Sequence, residues 1–115
     1  MNIEEVRDYC LRKPGVTEAF PFDAQTLVFK VLGKMFALSG LERLPPQINL
    51  KCDPERSEEL RVAYNGLIYA GYHMNKKLWN TLEFSSLPPE LIMELIDHSY
   101  ELVVAKMPKK LRESL

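Results

Sequence analysis

Apolar residues recur at helical spacing at the two ends of this chain and alternate with polar ones through much of its middle. Ile3, Val6 and Cys10, with Tyr9 flanking, mark one face of a first helix. Asn2 is placed to cap it, Glu4 and Glu5 suit its first turn, and Pro14-Gly15 ends it. Val16, Glu18 and Phe20 alternate, which predicts a strand ahead of the stiff Phe20-Pro21-Phe22. Residues 27–32 and 35–41 are rich in β-branched and aromatic side chains, and Gly33-Lys34 between them predicts a hairpin. Pro45-Pro46 breaks the chain, after which residues 47–52 alternate as a further antiparallel strand. Asp53-Pro54 places an N-cap residue before a first-turn proline, predicting a helix from 55 to about 64 that stops at Asn65-Gly66. Residues 67–71 lean towards strand, and 78–84 form another, paired across a turn at Asn75-Lys76. Ser86, Pro88, Pro89 and Glu90 open the longest helix, from 89 to about 106. Its inner face is Leu91, Ile92, Leu95, Ile96, Ser99, Leu102 and Val103. Met107-Pro108 stops it, leaving residues 109–115 as a basic tail or one short turn.

Helices at both ends, an antiparallel sheet between them and a helix inserted partway predict an α+β two-layer sandwich. The terminal helices are expected side by side on one sheet face, leaving the other face partly open as a binding surface. At 115 residues, without repeat or linker, the chain reads as one domain, 1–115.

Composition narrows the function. The formal net charge is −1, so the molecule as a whole has no field that seeks a polyanion, and any nucleic-acid role must come from a local patch. Cys10 and Cys52 are isolated and sit in apolar patterns, which predicts buried thiols in a reducing compartment. The acidic start Met1-Asn2-Ile3-Glu4-Glu5 does not resemble a secretion signal, and no apolar run approaches bilayer length. The expectation is a cytoplasmic protein away from membranes, with a monomer favoured. No Walker loop, GxGxxG, GxSxG, HExxH or EF-hand pattern occurs. No nucleophile–base or metal constellation can be assembled, so the chain is read as non-enzymatic and without cofactor. His98 beside Asp97 reads as a solvated pair. Glu4, Glu5 and Asp8 read as a solvated helix face in preference to a cation site, which needs several converging oxygens.

The segment Gly71-Tyr72-His73-Met74-Asn75-Lys76-Lys77-Leu78-Trp79-Asn80-Thr81 carries the most suggestive chemistry. It holds the single Trp and a Lys pair with no acidic residue. Lys76 and Lys77 suit phosphate contacts, His73 and Asn75 polar contacts, and Trp79 supports or stacks. Lys30 and Lys34, by the first hairpin, and Lys51, at the end of the next strand, extend the patch. Lys106, Lys109, Lys110 and Arg112 form a separate C-terminal cluster. The same pattern also fits a Trp turned inward under lysines that keep a hairpin edge soluble.

The landmarks Pro14-Gly15-Val16-Thr17-Glu18, Phe20-Pro21-Phe22, Phe29-Lys30-Val31 and Gly33-Lys34-Met35-Phe36-Ala37 run on through Leu50-Lys51-Cys52-Asp53-Pro54-Glu55 and Leu60-Arg61. They continue in Gly71-Tyr72-His73-Met74-Asn75-Lys76-Lys77, Trp79-Asn80-Thr81, Leu91-Ile92 and Ser99-Tyr100. Together they resemble the MmcQ/YjbR-like family of small bacterial proteins. The resemblance implies a frataxin-like (CyaY-like) fold and a "double wing" DNA-binding surface. Phosphate contacts from the lysines would make any DNA binding non-specific. The position before Trp79, often His in the family, is Leu78 here. The frataxin likeness also suggests iron, but Arg7, Arg12 and Lys13 interrupt the acidic group on the first helix. The alternative reading is a protein or small-ligand interaction module on the exposed sheet face.

Overall fold

The amphipathic ends of the chain form helices as their periodicity predicts. In the computed structural model, which describes residues 1–71 and 74–115, α1 spans Ile3–Leu11 and α3 spans Pro89–Ala105. Asn2 Oδ1 accepts from the Glu5 N–H at 2.9 Å, and Glu5 Oε1 accepts from the Asn2 N–H at 3.1 Å. Glu5 is therefore part of a capping box. Between these helices lie β1 (Val16–Ala19), β2 (Thr26–Val31), β3 (Lys34–Gly40), β4 (Ile48–Lys51), α2 (Pro54–Ala63), β5 (Ile68–Ala70) and β6 (Trp79–Leu82); α4 (Lys109–Arg112) follows α3. Asp53 caps α2 through Oδ2, which accepts from the Arg56 N–H at 3.2 Å. Among the described residues the six strands form one sheet in the order β1-β2-β3-β4-β6-β5, every neighbouring pair antiparallel.

Residues directly opposite in an antiparallel pair share a face. Phe29, Ala37, Leu50, Ile48, Leu82 and Ile68 all fall on one face and are buried against Val6 and Cys10 of α1 and Ile92, Leu95, Ile96 and Val103 of α3. Helices α1 and α3 lie side by side, joined by Asp97, which accepts from Tyr9 Oη at 2.8 Å and pairs with Lys13. Arg56 of α2 pairs with Glu94 of α3. The opposite sheet face carries Lys30, Met35, Leu38, Asn49, Lys51, Tyr69, Trp79 and Thr81 by the same register, and no helix covers it among the described residues.

Several sequence expectations need correction. The β2–β3 turn is Leu32-Gly33, not Gly33-Lys34: both residues have positive φ, 47° and 82°, and Val31 pairs with Lys34. A two-residue hairpin of this twist requires positive φ at both central positions, and Gly33 takes one of them without strain. Strand β1 ends at Ala19, and Phe20, expected to alternate with the strand, is exposed. Strand β6 stops at Leu82, where Phe84–Ser86 turns into a short 3₁₀ segment. Ser86 makes no cap for α3, which begins on Pro89 without a side-chain cap. Leu91 and Leu102 are only part-buried. His98 does not pair with Asp97; its Nε2 accepts from the Asp53 N–H at 3.1 Å.

One irregularity shapes both layers. Phe29 pairs with Ala37 but Lys30 pairs with Met35, so Phe36 is an extra residue in β3. Such a bulge re-aims its side chains. Phe36 enters the helix layer, fully buried and edge-on to Tyr100 at 5.5 Å between ring centroids. Met35 goes to the open face. The β3–β4 ladder consequently covers only Ala37–Leu50 and Leu38–Asn49. Ser99 of α3 fills the gap beyond it: its hydroxyl accepts from the Lys51 N–H at 2.9 Å and donates to the Phe36 carbonyl at 2.5 Å. A buried helix serine thus takes the place of a ladder hydrogen bond, which explains a polar residue on the inner face of α3.

Candidate ligand-binding cleft

The open sheet face is concave. A cleft of about 670 Å³ lies on it, within the size range of small-molecule sites. Its apolar surface comes from Met35 and Leu38 of β3, from Met74, and from Phe22 at the mouth. Phe22 is 68% exposed. Polar groups interrupt this surface in a fixed order. Thr81 Oγ1 donates to Asn49 Oδ1 at 2.6 Å, which leaves the Asn49 amide nitrogen as a donor for the cleft. Gln47 Nε2 donates to Tyr69 Oη at 2.9 Å, and Tyr69 Oη donates to Glu83 Oε2 at 2.9 Å. Arg43, Thr26 and Asp23 complete the far rim.

Asp23 is committed to its own loop. Its carboxylate accepts from the N–H groups of Gln25 and Thr26 at 2.8 and 2.7 Å and from the Thr26 hydroxyl at 3.2 Å. These bonds, that from Gln25 first, hold its pKa below the ordinary Asp value. A depressed carboxylate adds stability above its unfolded pKa, about 3.9, and loses that contribution as pH falls through the lower folded value. Acidification from about pH 5 down through the lowered Asp23 value should therefore loosen the cleft rim. Faster amide exchange at Gln25 and Thr26 would report it. Asp23→Asn, which still accepts but does not titrate, should lack the step; an identical acid response in that variant would assign the effect elsewhere.

The predicted basic residues divide into groups. The register puts the β2–β3 turn and the β5–β6 connection at the same end of the sheet. Lys30 and Lys51 stand there on the open face, opposite Met35 and Trp79 respectively. Lys34 is opposite Val31, whose side chain is in the core, so it stands on the helix side and does not join them. Lys76 and Lys77 are exposed on the connection between β5 and β6. That connection lies between the end of β5 at Ala70 and the start of β6 at Trp79, where the Asn75-Lys76 turn is expected. Asn75 shapes it: Oδ1 accepts from the Lys77 N–H at 3.0 Å, and its carbonyl accepts from the N–H groups of Leu78 and Trp79, each at 3.0 Å. His73, a predicted polar contact, lies outside the described residues.

Trp79 is buried, at 5% exposure, so its face is not a stacking platform for bases. The Lys51 ammonium sits 5.5 Å from the ring centroid. Gly71 presses against the same place: a Cβ there would come within 3.4 Å of Trp79 Cβ and 3.5 Å of Asn49 Oδ1. The Lys51 pKa is lowered, first by burial and then by the nearby Lys106 charge.

The sequence gives Arg61 no role beyond its place in a landmark. In the fold it donates to Asn80 Oδ1 at 2.8 Å and to the Lys76 carbonyl at 2.7 Å, while Asn80 Nδ2 donates to Ser57 Oγ at 3.2 Å. This network ties α2 to the β5–β6 connection. Arg61→Ala should destabilise the fold by about 1.5–3 kcal/mol, the worth of hydrogen bonds to a charged group. Emission from Trp79, the single Trp, should shift to the red in the folded state as the connection loosens. Unchanged stability and emission would show the network to be dispensable.

The thiols are remote from this chemistry. Both are buried, and burial pushes Cys10 up to about 12 and raises Cys52 as well. Among the described residues no group of three or more His, Cys, Asp or Glu is placed to hold a metal ion. No described helix is long and apolar enough to cross a membrane.

A family model described as YjbR matches residues 11–102. The chain belongs to the YjbR family. YjbR of Escherichia coli strain K12 is 33% identical over 116 residues, spanning 100% of this chain and 98% of its own. YbdF of Escherichia coli O157:H7 is 38% identical over 108 residues, 93% of this chain and 88% of that one. The crystal structure of Deinococcus radiodurans protein DR2400 superposes with a TM-score of 0.90 at 44% identity, covering 97% of this chain and 86% of that one. A Pseudomonas syringae crystal structure superposes with a TM-score of 0.75 at 30% identity, covering 89% of this chain and 98% of that one. These relatives establish the YjbR-type α+β fold; their names state no activity.

Proposed function

We propose that this YjbR-family protein is a non-enzymatic binding module that takes a small molecule in the cleft on its open sheet face. The observation that carries this reading is the cleft itself, with apolar walls and hydrogen-bonding side chains set in one concave surface. The acid–base groups in its described lining are engaged within the protein, Asp23 by its own loop and Tyr69 by Gln47 and Glu83, which favours binding over nucleophilic or general-base chemistry. A thermal-shift screen of small molecules tests the reading, since a ligand of the folded state raises Tm with its concentration. Leu38→Trp, which fills the cleft, should abolish the shifts while keeping a cooperative melt. Shifts that survive in this variant would place the ligand elsewhere.

A second reading keeps the double-wing DNA surface. Its support is the gathering of Lys30, Lys51, Lys76 and Lys77 at the sheet end where both connections lie. On this reading binding is weak, sequence-independent and steeply salt-dependent. The Lys76→Ala/Lys77→Ala pair should weaken it equally across sequences and reduce the salt slope by about one for each phosphate no longer neutralised. Absence of binding to duplex and single-stranded DNA at about 50–100 mM salt would remove this reading and leave the cleft reading standing.

A further inference from the structure

We propose that the ligand of the cleft has an apolar body and an anionic head, and that Lys30 and Lys51 hold the head. This specifies the cleft reading above and rests on it. Lys30 stands directly opposite Met35, which lines the cleft. Lys51 is two residues along β4 from Asn49, another lining residue, and is opposite Trp79 on the same face. Only β3 separates their strands, so the two backbones are about 10 Å apart by ordinary strand spacing. Two lysine side chains can converge on one anion across that gap. Neither makes an ion pair among the described residues. Lys51 is also part-buried on the Trp79 ring, where its charge lacks both full hydration and a counter-ion.

The far rim carries both signs, Arg43 and Asp23, and its acidic groups are already satisfied. Asp23 is taken up by its loop, and Glu83 by Tyr69. The lysine end holds two cations, neither of them in an ion pair among the described residues. Between the two ends Met35 and Leu38 offer an apolar floor on the sheet, with Asn49 and Thr81 as hydrogen-bonding groups beside it. A carboxylate and a phosphate monoester meet these requirements alike.

Three probes of matched body test the assignment: naphthoate, naphthyl phosphate and neutral naphthamide. Each is titrated into the wild-type protein and followed by amide chemical shifts and Trp79 fluorescence. One or both anions should bind about tenfold or more tightly than naphthamide, the worth of one charge-assisted contact. The two anions rank the head groups against each other. All shifts should centre on Asn49, Thr81 and Trp79. In a Lys30→Gln/Lys51→Gln variant, confirmed folded by its dispersed amide spectrum, the preference should vanish while naphthamide binding persists. If naphthamide binds the cleft as tightly as both anions, the anionic class is wrong and the cleft reading survives. A preference that persists in the double variant overturns the lysine assignment. If none of the three perturbs the cleft, the proposal fails together with that reading.

Discussion

Phe36→Ala lowers the unfolding free energy by about 3–5 kcal/mol, the range for truncating a fully buried phenylalanine. Phe36 is 0% exposed and packs edge-on against Tyr100 of α3. It occupies the helix layer only because the bulge between the Phe29 and Lys30 pairings gives β3 an extra residue. Truncation therefore does more than open a cavity. It removes the anchor that holds the bulge, so Met35 should lose its fixed place on the open face. Urea unfolding measures the loss, and cross-relaxation between Met35 and Lys30 follows the register. A loss below about 1 kcal/mol, typical of a surface change, would contradict the placement of Phe36.

Ser99→Ala costs about 1–3 kcal/mol for each buried group it leaves unsatisfied. Two groups are affected, the Lys51 N–H and the Phe36 carbonyl. No strand neighbour replaces the serine, because the β3–β4 ladder stops at Ala37–Leu50. Amide exchange should quicken at Lys51 far more than at Ile48, at the other end of the same strand. Uniform acceleration along β4 would mean that the serine contributes to global stability only. The same substitution should weaken anion binding in the cleft, since it loosens the backbone that carries Lys51.

Much of the fold is legible in the sequence because each element carries its own local signal. Asn2 and Glu5 announce the start of α1, Asp53-Pro54 the start of α2, and the period of Ile92, Leu95, Ile96, Ser99 and Val103 the buried face of α3. The alternation at Asn49 and Lys51 matches the open-face positions of β4. What escapes depends on pairing across the chain. Leu32 at positive φ is rare for a branched side chain, so the sequence pattern puts the hairpin turn one residue late. The bulge at Phe36 exists only relative to β2, and no pattern within β3 marks it. The candidate site is less legible than the fold. Sequence proximity groups the lysines one way, whereas sheet parity puts Lys34 on the helix side and brings Lys30 towards Lys51. The sequence leaves Trp79 either inward-facing or stacking; it is buried, yet on the open side beneath Lys51. The concavity of that face, and the partners Gln47, Tyr69 and Thr81 that organise it, arise from sheet twist and cross-strand contacts that a linear pattern does not record.

We propose the open sheet face, and not the helix layer, as the place where this protein meets its ligand. A crystallographic fragment screen addresses this, using crystals in which the cleft opens to solvent. Bound fragments should concentrate in the cleft against Met35, Leu38, Asn49 and Thr81, with anionic groups turned towards Lys30 and Lys51. Fragments collecting instead in the smaller hollow by Met1, Leu44 and Phe84, with the sheet cleft left empty, would contradict it.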